Sequence, residues 1–170
     1  MLDKNIVLCG FMGCGKTTTG KELASLLKME FVDLDKWIEE KEGLTVSKIF
    51  EKKGEEYFRT AETRAAENLG QKKGLVIACG GGTVLKPENI LSLKKNGVII
   101  YLSVTADVVK SRLKADNTRP LLAKDKENTI DALLNFRKPL YEKAADFTVD
   151  ANEALQTTVN QIINFLALEE

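Results

Sequence analysis

The sequence contains no histidine, and this absence excludes several kinds of active site. Catalytic groups of the Ser-His-Asp and Cys-His types need an imidazole, as do metal sites built on histidine. Proton transfer near neutral pH would therefore fall to a carboxylate, a lysine or the substrate. Cysteine is scarce as well. Cys9, Cys14 and Cys79 are too few and too far apart in sequence for a disulfide framework or a cysteine-rich zinc site, so we expect reduced residues that fill tight places.

Neither charge nor hydropathy points to a nucleic acid or a membrane. Lys and Arg together number 25, as do Asp and Glu, so no basic excess exists to attract a polyanion. The longest apolar runs, such as 98–102, are far too short to span a bilayer. No secretion or transit signal precedes the first predicted strand, so we expect a cytoplasmic protein. A length of 170 residues predicts a single domain over 1–170, which we expect to act as a monomer.

Residues 10–17 read Gly-Phe-Met-Gly-Cys-Gly-Lys-Thr, which is the pattern of a phosphate-binding loop. An apolar strand-like run precedes this phosphate loop and a helical pattern follows it. Glycines permit backbone angles at which successive N–H groups point at one anion, and the following helix adds its positive end. Lys16 can reach the outer phosphates, and the Thr17 hydroxyl can ligate Mg²⁺. The sequence therefore predicts binding of a nucleoside triphosphate.

Short apolar runs alternate with helical patterns along the chain, which predicts an α/β protein whose parallel sheet is covered on both faces. The predicted strands are Asn5–Cys9, Phe31–Asp33, Leu75–Cys79, Val98–Leu102 and Phe147–Asp150. The predicted helices are about 16–28, 34–41, 46–53, 55–69, 87–95, 105–114, 126–144 and 153–167. The last helix should bury an apolar face made of Leu155, Val159, Ile162, Ile163 and Leu166.

Two clusters follow predicted strands, at the edge where open α/β sheets bind ligands. In Asp33-Leu34-Asp35 one carboxylate could hold magnesium and the other meet a substrate hydroxyl. The alternative for this pair is a helix N-cap, for which Asp is favoured. The second cluster is Gly80-Gly81-Gly82, hereafter the glycine triplet, which would let a ligand press against bare backbone.

Arginines at three places are candidates for binding a carboxylate or a phosphate. Arg59 precedes Glu62 by three residues, so on a helix the carboxylate can hold the guanidinium in one orientation. Arg137 lies in a predicted helix. Arg119 lies in the polar stretch 114–128, whose length and composition indicate either a functional lid or a plain solvated loop.

Together these features resemble shikimate kinases over essentially the whole chain. The resemblance is carried, in the order and spacing of that family, by the phosphate loop, Asp33-x-Asp35, Phe58-Arg59-x-x-Glu62, Gly80-Gly81-Gly82, Arg119-Pro120-Leu121-Leu122 and Arg137-x-Pro139-Leu140-Tyr141. It implies a three-layer α/β/α P-loop kinase fold, similar to nucleoside monophosphate kinases, with a central five-stranded parallel sheet in the order 2-3-1-4-5. It also implies a substrate-binding region at about 34–62 and a lid at about 114–128.

The resemblance implies a set of nucleotide contacts. Lys16 would hold the phosphates of ATP, together with the amides of Gly13, Cys14, Gly15 and Thr18. Thr17 would bind Mg²⁺, and Asp33 would anchor the magnesium shell. Arg112 would lie near the adenine. Asn152 would lie in the loop that wraps the base, where the sequence lacks the arginine that the family pattern leads us to expect.

For the second substrate the resemblance implies shikimate, phosphorylated on its 3-hydroxyl. Arg59 and Arg137 would clamp its carboxylate, and the glycine triplet would present backbone donors to the ring. Asp35 would accept hydrogen bonds from the hydroxyls, including the one that attacks. Arg119 would arrive with the lid, contact ATP and neutralise charge on the transferring phosphoryl group.

Catalysis by this set would depend on positioning and charge neutralisation more than on covalent chemistry. Mg²⁺, Lys16 and Arg119 would supply the positive charge. Asp35 is the one plausible base, and two roles stay open for it at this point: removing the proton, or orienting the hydroxyl.

Two other functions are compatible with a phosphate loop. A related small kinase could act on gluconate or on a nucleoside monophosphate, although paired arginines and a glycine triplet suit a hydroxylated carboxylic acid better. A nucleotide-dependent switch is the second alternative. Switches of that class carry an Asn-Lys-x-Asp motif, and no Asn-Lys pair occurs in this sequence.

Overall fold

The protein is described by a computed structural model that covers residues 3–114 and 126–168. Its centre is a five-stranded parallel sheet in the order β2-β3-β1-β4-β5, as expected from the sequence. The strands are β1 Asn5–Cys9, β2 Glu30–Asp33, β3 Leu75–Ala78, β4 Gly97–Ser103 and β5 Phe147–Asp150. The predicted strands are thus confirmed, with ends that shift by one residue at most.

Seven α-helices lie in the described part of the chain and complete a three-layer α/β/α arrangement. They are α1 Lys16–Leu27, α2 Leu34–Glu42, α3 Val46–Gly70, α4 Pro87–Lys94, α5 Ala106–Lys114, α6 Lys126–Ala144 and α7 Leu155–Leu168. The two helices predicted at 46–53 and 55–69 form α3, which is broken at Gly54 by a φ of +84°. A 3₁₀-helical turn at Thr83–Leu85 has no counterpart among the predicted elements.

The three central strands are buried almost throughout, whereas β2 and β5 at the edges are more exposed. Strands covered on both faces need apolar residues at every position, which explains why they read as unbroken apolar runs. The helices pair around the sheet, α1 with α7 and α3 with α4. One continuous hydrophobic core results. Within the described ranges, no helix is both long and apolar enough to cross a membrane.

Strand register places the loops after three strands side by side. Leu8 of β1 pairs with Ala78 of β3, and Ala78 pairs with Asp33 at the end of β2. Because the strands are parallel, the phosphate loop, the Asp33–Asp35 turn and the glycine triplet therefore leave the sheet from the same edge.

The predicted core face of α7 is confirmed only in part. Val159, Ile162 and Leu166 are buried and Ile163 is partly buried, but Leu155 is 38% exposed. Leu155 is the first residue of the helix, and helical side chains lean toward the N-terminus. Its side chain therefore leans past the end of the helix, where the preceding turn that would cover it does not exist.

The contact between α3 and α4 gives a stability prediction. A β-carbon on Gly70 would overlap the backbone carbonyl oxygen of Ser92. Gly70→Ala should therefore destabilise the protein by about 1–3 kcal/mol, although Ala normally stabilises a helix. Thermal unfolding followed by circular dichroism should show a fall of roughly 2–4 °C for each kcal/mol lost.

Gly43 offers the control, since a β-carbon added there would meet no atom within 4 Å and Asn tolerates its φ of +63°. Gly43→Asn should leave the melting temperature nearly unchanged. Equal melting temperatures for Gly70→Ala and the unmodified protein would show that α3 and α4 can move apart without a loss of stability.

Candidate active site

The phosphate loop connects β1 to α1 and has the backbone shape that an anion site needs. Gly10, Gly13 and Gly15 have φ values of +146°, +74° and +97°, which side-chain-bearing residues rarely adopt. The Lys16 ammonium donates to the carbonyl oxygens of Gly10 at 2.8 Å and Phe11 at 3.0 Å. The cation is thus held over the loop, beside the N-terminus of α1, where an anionic phosphate would be stabilised.

A pair of oxygen ligands lies next to the loop. The Thr17 hydroxyl donates to Asp33 Oδ2 at 3.2 Å, and Asp33 Oδ1 accepts from the Lys36 amide at 3.2 Å. Asp33 is therefore an N-cap of α2 and a neighbour of Thr17, and its role as a magnesium ligand stays a prediction. A hydroxyl and a carboxylate are hard oxygen donors that fit Mg²⁺, which takes its remaining ligands from phosphates and water. Among the described residues, no group of three or more Cys, Asp and Glu side chains is placed to hold a metal ion.

The glycine triplet makes room for three charged side chains. A β-carbon on its first glycine would lie 2.7 Å from Asp35 Oδ1, and one on its second glycine would lie 3.4 Å from Arg137 Nη1. A β-carbon on its third glycine would overlap the Arg59 guanidinium. The triplet therefore brings together the three residues that the sequence singled out for the second substrate.

Arg59 is fixed by carboxylates of its own helix. Its Nη1 pairs with Glu62 Oε2 at 2.6 Å, as the spacing predicted, and its Nη2 pairs with Glu55 Oε1 at 3.2 Å. Glu62 is buried, whereas Glu55 is exposed. Burial acts to lower the pKa of Arg59, but the ion pairs with Glu62 and Glu55 outweigh it and raise the pKa. The guanidinium therefore stays charged at every physiological pH.

Arg137 approaches the triplet from α6. Its Nε is buried and has no hydrogen-bond partner within the described ranges. One turn later, the Tyr141 hydroxyl donates to the Gly81 carbonyl oxygen at 2.6 Å. Burial raises the pKa of Tyr141, so this hydroxyl keeps its proton and remains a donor. Arg137 and Arg59 come from different helices, and their guanidinium groups reach neighbouring glycines, an arrangement suited to a small carboxylate.

Arg112 ties the phosphate loop to the loop after β5. Its guanidinium donates to the carbonyl oxygens of Gly13 at 3.1 Å and Ala151 at 2.9 Å. The Asn152 side chain accepts from the Thr105 amide at 2.9 Å and donates to Asp150 Oδ1 at 2.7 Å. Through these contacts, Arg112 and Asn152 hold together the phosphate loop, the loop after β4 and the loop after β5. Their roles as ATP ligands stay predictions.

The remaining predicted features divide into two groups. Arg119 and positions 115–125 of the predicted lid lie outside the described residues. The three cysteines are free and buried, as expected, and burial raises the pKa of Cys9 and Cys79 well above the usual range for thiols. These two thiols are packing groups rather than nucleophiles.

Three residues of the site were missed by reasoning from the sequence: Glu55, Thr83 and Tyr141. Glu55 and Tyr141 had a usable signal, because each stands four residues from an arginine of the site and so shares its helix face. Thr83 had none, because its hydroxyl meets Glu62, 21 positions away in sequence.

Comparison with known proteins adds an independent observation. The sequence model of the family described as SKI: Shikimate kinase matches residues 12–167. The chain belongs to the shikimate kinase family. A shikimate kinase of Caldanaerobacter subterraneus subsp. tengcongensis is 49% identical over 151 residues, which is 88% of either chain. One from Vibrio parahaemolyticus is 42% identical and aligns over 96% of either chain.

Solved structures agree with this membership. The shikimate kinase of Acinetobacter baumannii in complex with shikimate is 41% identical, with a TM-score of 0.89 over 98% of this chain and 93% of that one. A gluconokinase from Sinorhizobium meliloti has a TM-score of 0.60 at 16% identity, over 98% of this chain and 93% of that one, and this likeness shows the fold alone. The sheet order and three-layer fold expected from the resemblance are thus confirmed for this chain.

The packing of Arg59 against Gly82 gives a prediction for shikimate binding. Gly82 has a φ of −103°, which any residue can adopt, so Gly82→Ala acts through the Arg59 contact and not through backbone strain. We expect the KM for shikimate to rise about tenfold, as for the loss of one well-placed charged contact, while the KM for ATP stays within about twofold. Steady-state kinetics measures both.

A second variant isolates the cause. The overlap with the guanidinium should also make Gly82→Ala lower the melting temperature. In an Arg59→Ala background the guanidinium is gone, so adding Gly82→Ala should no longer lower it. A further fall of the same size in both backgrounds would show that Gly82 matters for another reason.

Proposed function

We propose that this shikimate kinase transfers the γ-phosphoryl group of ATP to the 3-hydroxyl of shikimate, giving shikimate 3-phosphate and ADP in aromatic amino-acid (chorismate) biosynthesis. The observation that carries the proposal is the convergence of Asp35, Arg59 and Arg137 on the glycine triplet, at the same sheet edge as the phosphate loop. The family membership and the shikimate-bound relative support the choice of substrate.

We assign the ATP phosphates to Lys16 and the amides of Gly13, Cys14, Gly15 and Thr18. Thr17 and Asp33 would hold the magnesium ion, directly or through water, because their oxygens lie 3.2 Å apart beside the loop. Mg²⁺ bound there would neutralise charge on the β- and γ-phosphates. Arg112 and Asn152 would border the adenine, a role supported by their contacts to the loops before α1 and after β5.

We assign the shikimate carboxylate to Arg59 and Arg137, whose planar forks match its geometry. Backbone N–H groups of the glycine triplet would bind ring hydroxyls. Asp35 would accept a hydrogen bond from the attacking 3-hydroxyl and aim it at the γ-phosphorus. We propose that 34–62 acts as the substrate-binding region within one domain that spans 1–170.

Arg119 and the lid at about 114–128 complete the proposal. Both rest on the family resemblance, because positions 115–125 lie outside the described residues. Arg119 would add positive charge at the transferring phosphoryl group, and a closed lid would exclude water as a competing acceptor. We further propose that the protein acts as a monomer in the cytoplasm, without nucleic-acid or membrane partners, in keeping with its zero formal net charge.

The test of this function is an assay of ADP release with Mg²⁺ and ATP across shikimate, quinate, gluconate and nucleoside monophosphates. We expect release with shikimate, and a product whose mass exceeds that of shikimate by one phosphoryl group. Release with gluconate or a nucleoside monophosphate alone would refute the assignment. Slow release that ignores every acceptor would instead indicate a nucleotide switch.

If Arg59 and Arg137 bind the shikimate carboxylate, replacing either one should weaken shikimate binding and spare ATP binding. Arg59→Ala or Arg137→Ala should remove about 2–5 kcal/mol of shikimate binding, because a charged fork is lost. ATP affinity should change far less, since neither residue touches the phosphate loop. Calorimetric titration with each ligand measures the two effects.

Arg64→Ala is the matched control, because Arg64 is an exposed arginine five positions further along α3. It should leave both affinities unchanged. Equal weakening of ATP and shikimate binding in the Arg59 or Arg137 variants would contradict their assigned roles.

The Asp35→Asn variant distinguishes the two roles considered for Asp35, which are removing the proton of the attacking hydroxyl and only orienting that hydroxyl. Asn can still accept a hydrogen bond from the 3-hydroxyl but cannot take its proton. We expect kcat to fall on the order of 10²-fold, as for the loss of a general base, while the KM for shikimate stays within about threefold. A fall in kcat of less than about tenfold would restrict Asp35 to orienting the hydroxyl.

A further inference from the structure

Arg59 is held by a chain of buried hydrogen bonds that extends beyond its own helix. Its Nη1 donates to Glu62 Oε2 at 2.6 Å, and the other carboxylate oxygen, Oε1, accepts from the Thr83 hydroxyl at 2.9 Å. Thr83 and Glu62 are 0% and 1% exposed. The hydroxyl of Thr83 is thus connected to the guanidinium through a single carboxylate.

A buried carboxylate in this position depends on both donors. Taking a carboxylate out of water is costly unless each oxygen is hydrogen-bonded. Arg59 satisfies Oε2 of Glu62, and Thr83 is the donor to Oε1 within the described ranges. Removal of the Thr83 hydroxyl would leave a buried, charged oxygen without that donor, and the carboxylate would turn to find another.

A second carboxylate makes the orientation more demanding. A β-carbon on Gly80 would lie 2.7 Å from Asp35 Oδ1, 3.1 Å from Glu62 Oε1 and 3.2 Å from the Thr83 hydroxyl oxygen. The two carboxylates therefore flank the same point, where like charges repel. Glu62 Oε1, the oxygen near Gly80, accepts the hydrogen bond from Thr83, and this donor offsets part of the repulsion.

The backbone of Thr83 is itself fixed on both sides. Its amide donates to the Gly80 carbonyl oxygen at 3.2 Å, and its carbonyl oxygen accepts from Asn89 Nδ2 at 2.8 Å. Asn89 is 0% exposed and belongs to α4. Thr83 thus joins the glycine triplet to α3 and α4, and its hydroxyl position is set by the fold and not by solvent.

From this arrangement we infer that Thr83 is a positioning residue for recognition of the shikimate carboxylate. Its hydroxyl orients Glu62, and Glu62 in turn aims the Arg59 guanidinium at the substrate. The inference rests on the role proposed above for Arg59, and it adds a residue that contacts neither substrate.

Thr83→Val tests the inference, because valine keeps the shape of threonine and lacks the hydroxyl. We expect the KM for shikimate to rise about tenfold, the size expected for the loss of one hydrogen bond to a charged group. The kcat should stay within about threefold and the KM for ATP within about twofold, because the phosphate loop is untouched. Thr83→Ser retains the hydroxyl and should restore the KM for shikimate to within about twofold of the original value.

Thr158→Val is the matched control. Thr158 is also buried, and its hydroxyl donates to the Asp150 carbonyl oxygen at 3.3 Å, away from the Arg59 cluster. It should leave the KM for shikimate unchanged, and it should lower the melting temperature by less than Thr83→Val does, because its hydroxyl donates to a neutral carbonyl and not to a buried carboxylate. If Thr83→Val fails to fold, Thr83→Ala takes its place. It removes the same hydroxyl without the steric demand of a second γ-methyl group, and it should raise the KM for shikimate by the same factor.

A double substitution tests the route through Glu62. In a Glu62→Gln background the ionic link to Arg59 is already weakened, so adding Thr83→Val should raise the KM for shikimate by less than about twofold. A full tenfold rise there would show that Thr83 acts by another route and would overturn the inference. So would a Thr83→Ser variant with the raised KM expected of Thr83→Val, or a shikimate KM in Thr83→Val and Thr83→Ala equal to that of Thr158→Val.

These failures differ from a failure of the proposed function. Were the enzyme not to phosphorylate shikimate, or were Arg59→Ala to leave shikimate binding intact, the assignment of Arg59 would fall and the role of Thr83 with it. An impaired Arg59→Ala variant beside an unimpaired Thr83→Val variant would refute the role of Thr83 alone.

Discussion

The register of the parallel sheet is the constraint on which the whole site depends. Parallel pairing of β1 with β3, and of β3 with β2, puts the carboxyl ends of these three strands at one edge. The phosphate loop and the glycine triplet lie far apart in sequence, yet they emerge side by side. A shift of one residue in either pairing would turn the side chains of a strand to its other face and move the loops apart.

At this edge, charged side chains approach the backbone of the glycine triplet closely, because the glycines have no side chains in the way. Each glycine of the triplet leaves space that a charged group fills, and Gly82 receives the Arg59 guanidinium at a distance that a β-carbon would forbid. Arg59 is paired with Glu62, and Glu62 accepts a hydrogen bond from Thr83. For the role proposed for Arg59, such pre-ordering would lower the entropy lost on binding. The gluconokinase from Sinorhizobium meliloti shares this fold at 16% identity, and a shared fold does not by itself fix which acceptor a kinase uses.

The features that could be predicted are those that depend on residues close together in sequence. Strands and helices follow from apolar periodicity and glycine punctuation, so most of their ends were predicted closely. The break in α3 was predicted as a gap between helices at 46–53 and 55–69, and the structure puts it at Gly54. The phosphate loop was predicted because its function is carried by consecutive backbone groups. The Arg59–Glu62 pair was predicted because residues three apart on a helix are neighbours.

The tertiary structure decided what depends on long-range packing. Leu155 fits the apolar pattern of α7 but lies at its exposed first turn, which periodicity cannot reveal. Thr83 reaches a partner 21 positions away in sequence, so no local pattern marks it. Arg112 was named from the family resemblance, but its contact with Gly13, 99 positions away, is visible only in the fold. The Asp33 carboxylate was expected to serve either as a helix cap or as a metal ligand. Only the folded chain shows that one of its oxygens caps α2 while the other accepts from the Thr17 hydroxyl. The sequence by itself determined the elements and the chemistry of their ends, because these arise from neighbouring residues. Which ends meet, and which buried donor satisfies which acceptor, was decided by the packing of the sheet and helices as a whole.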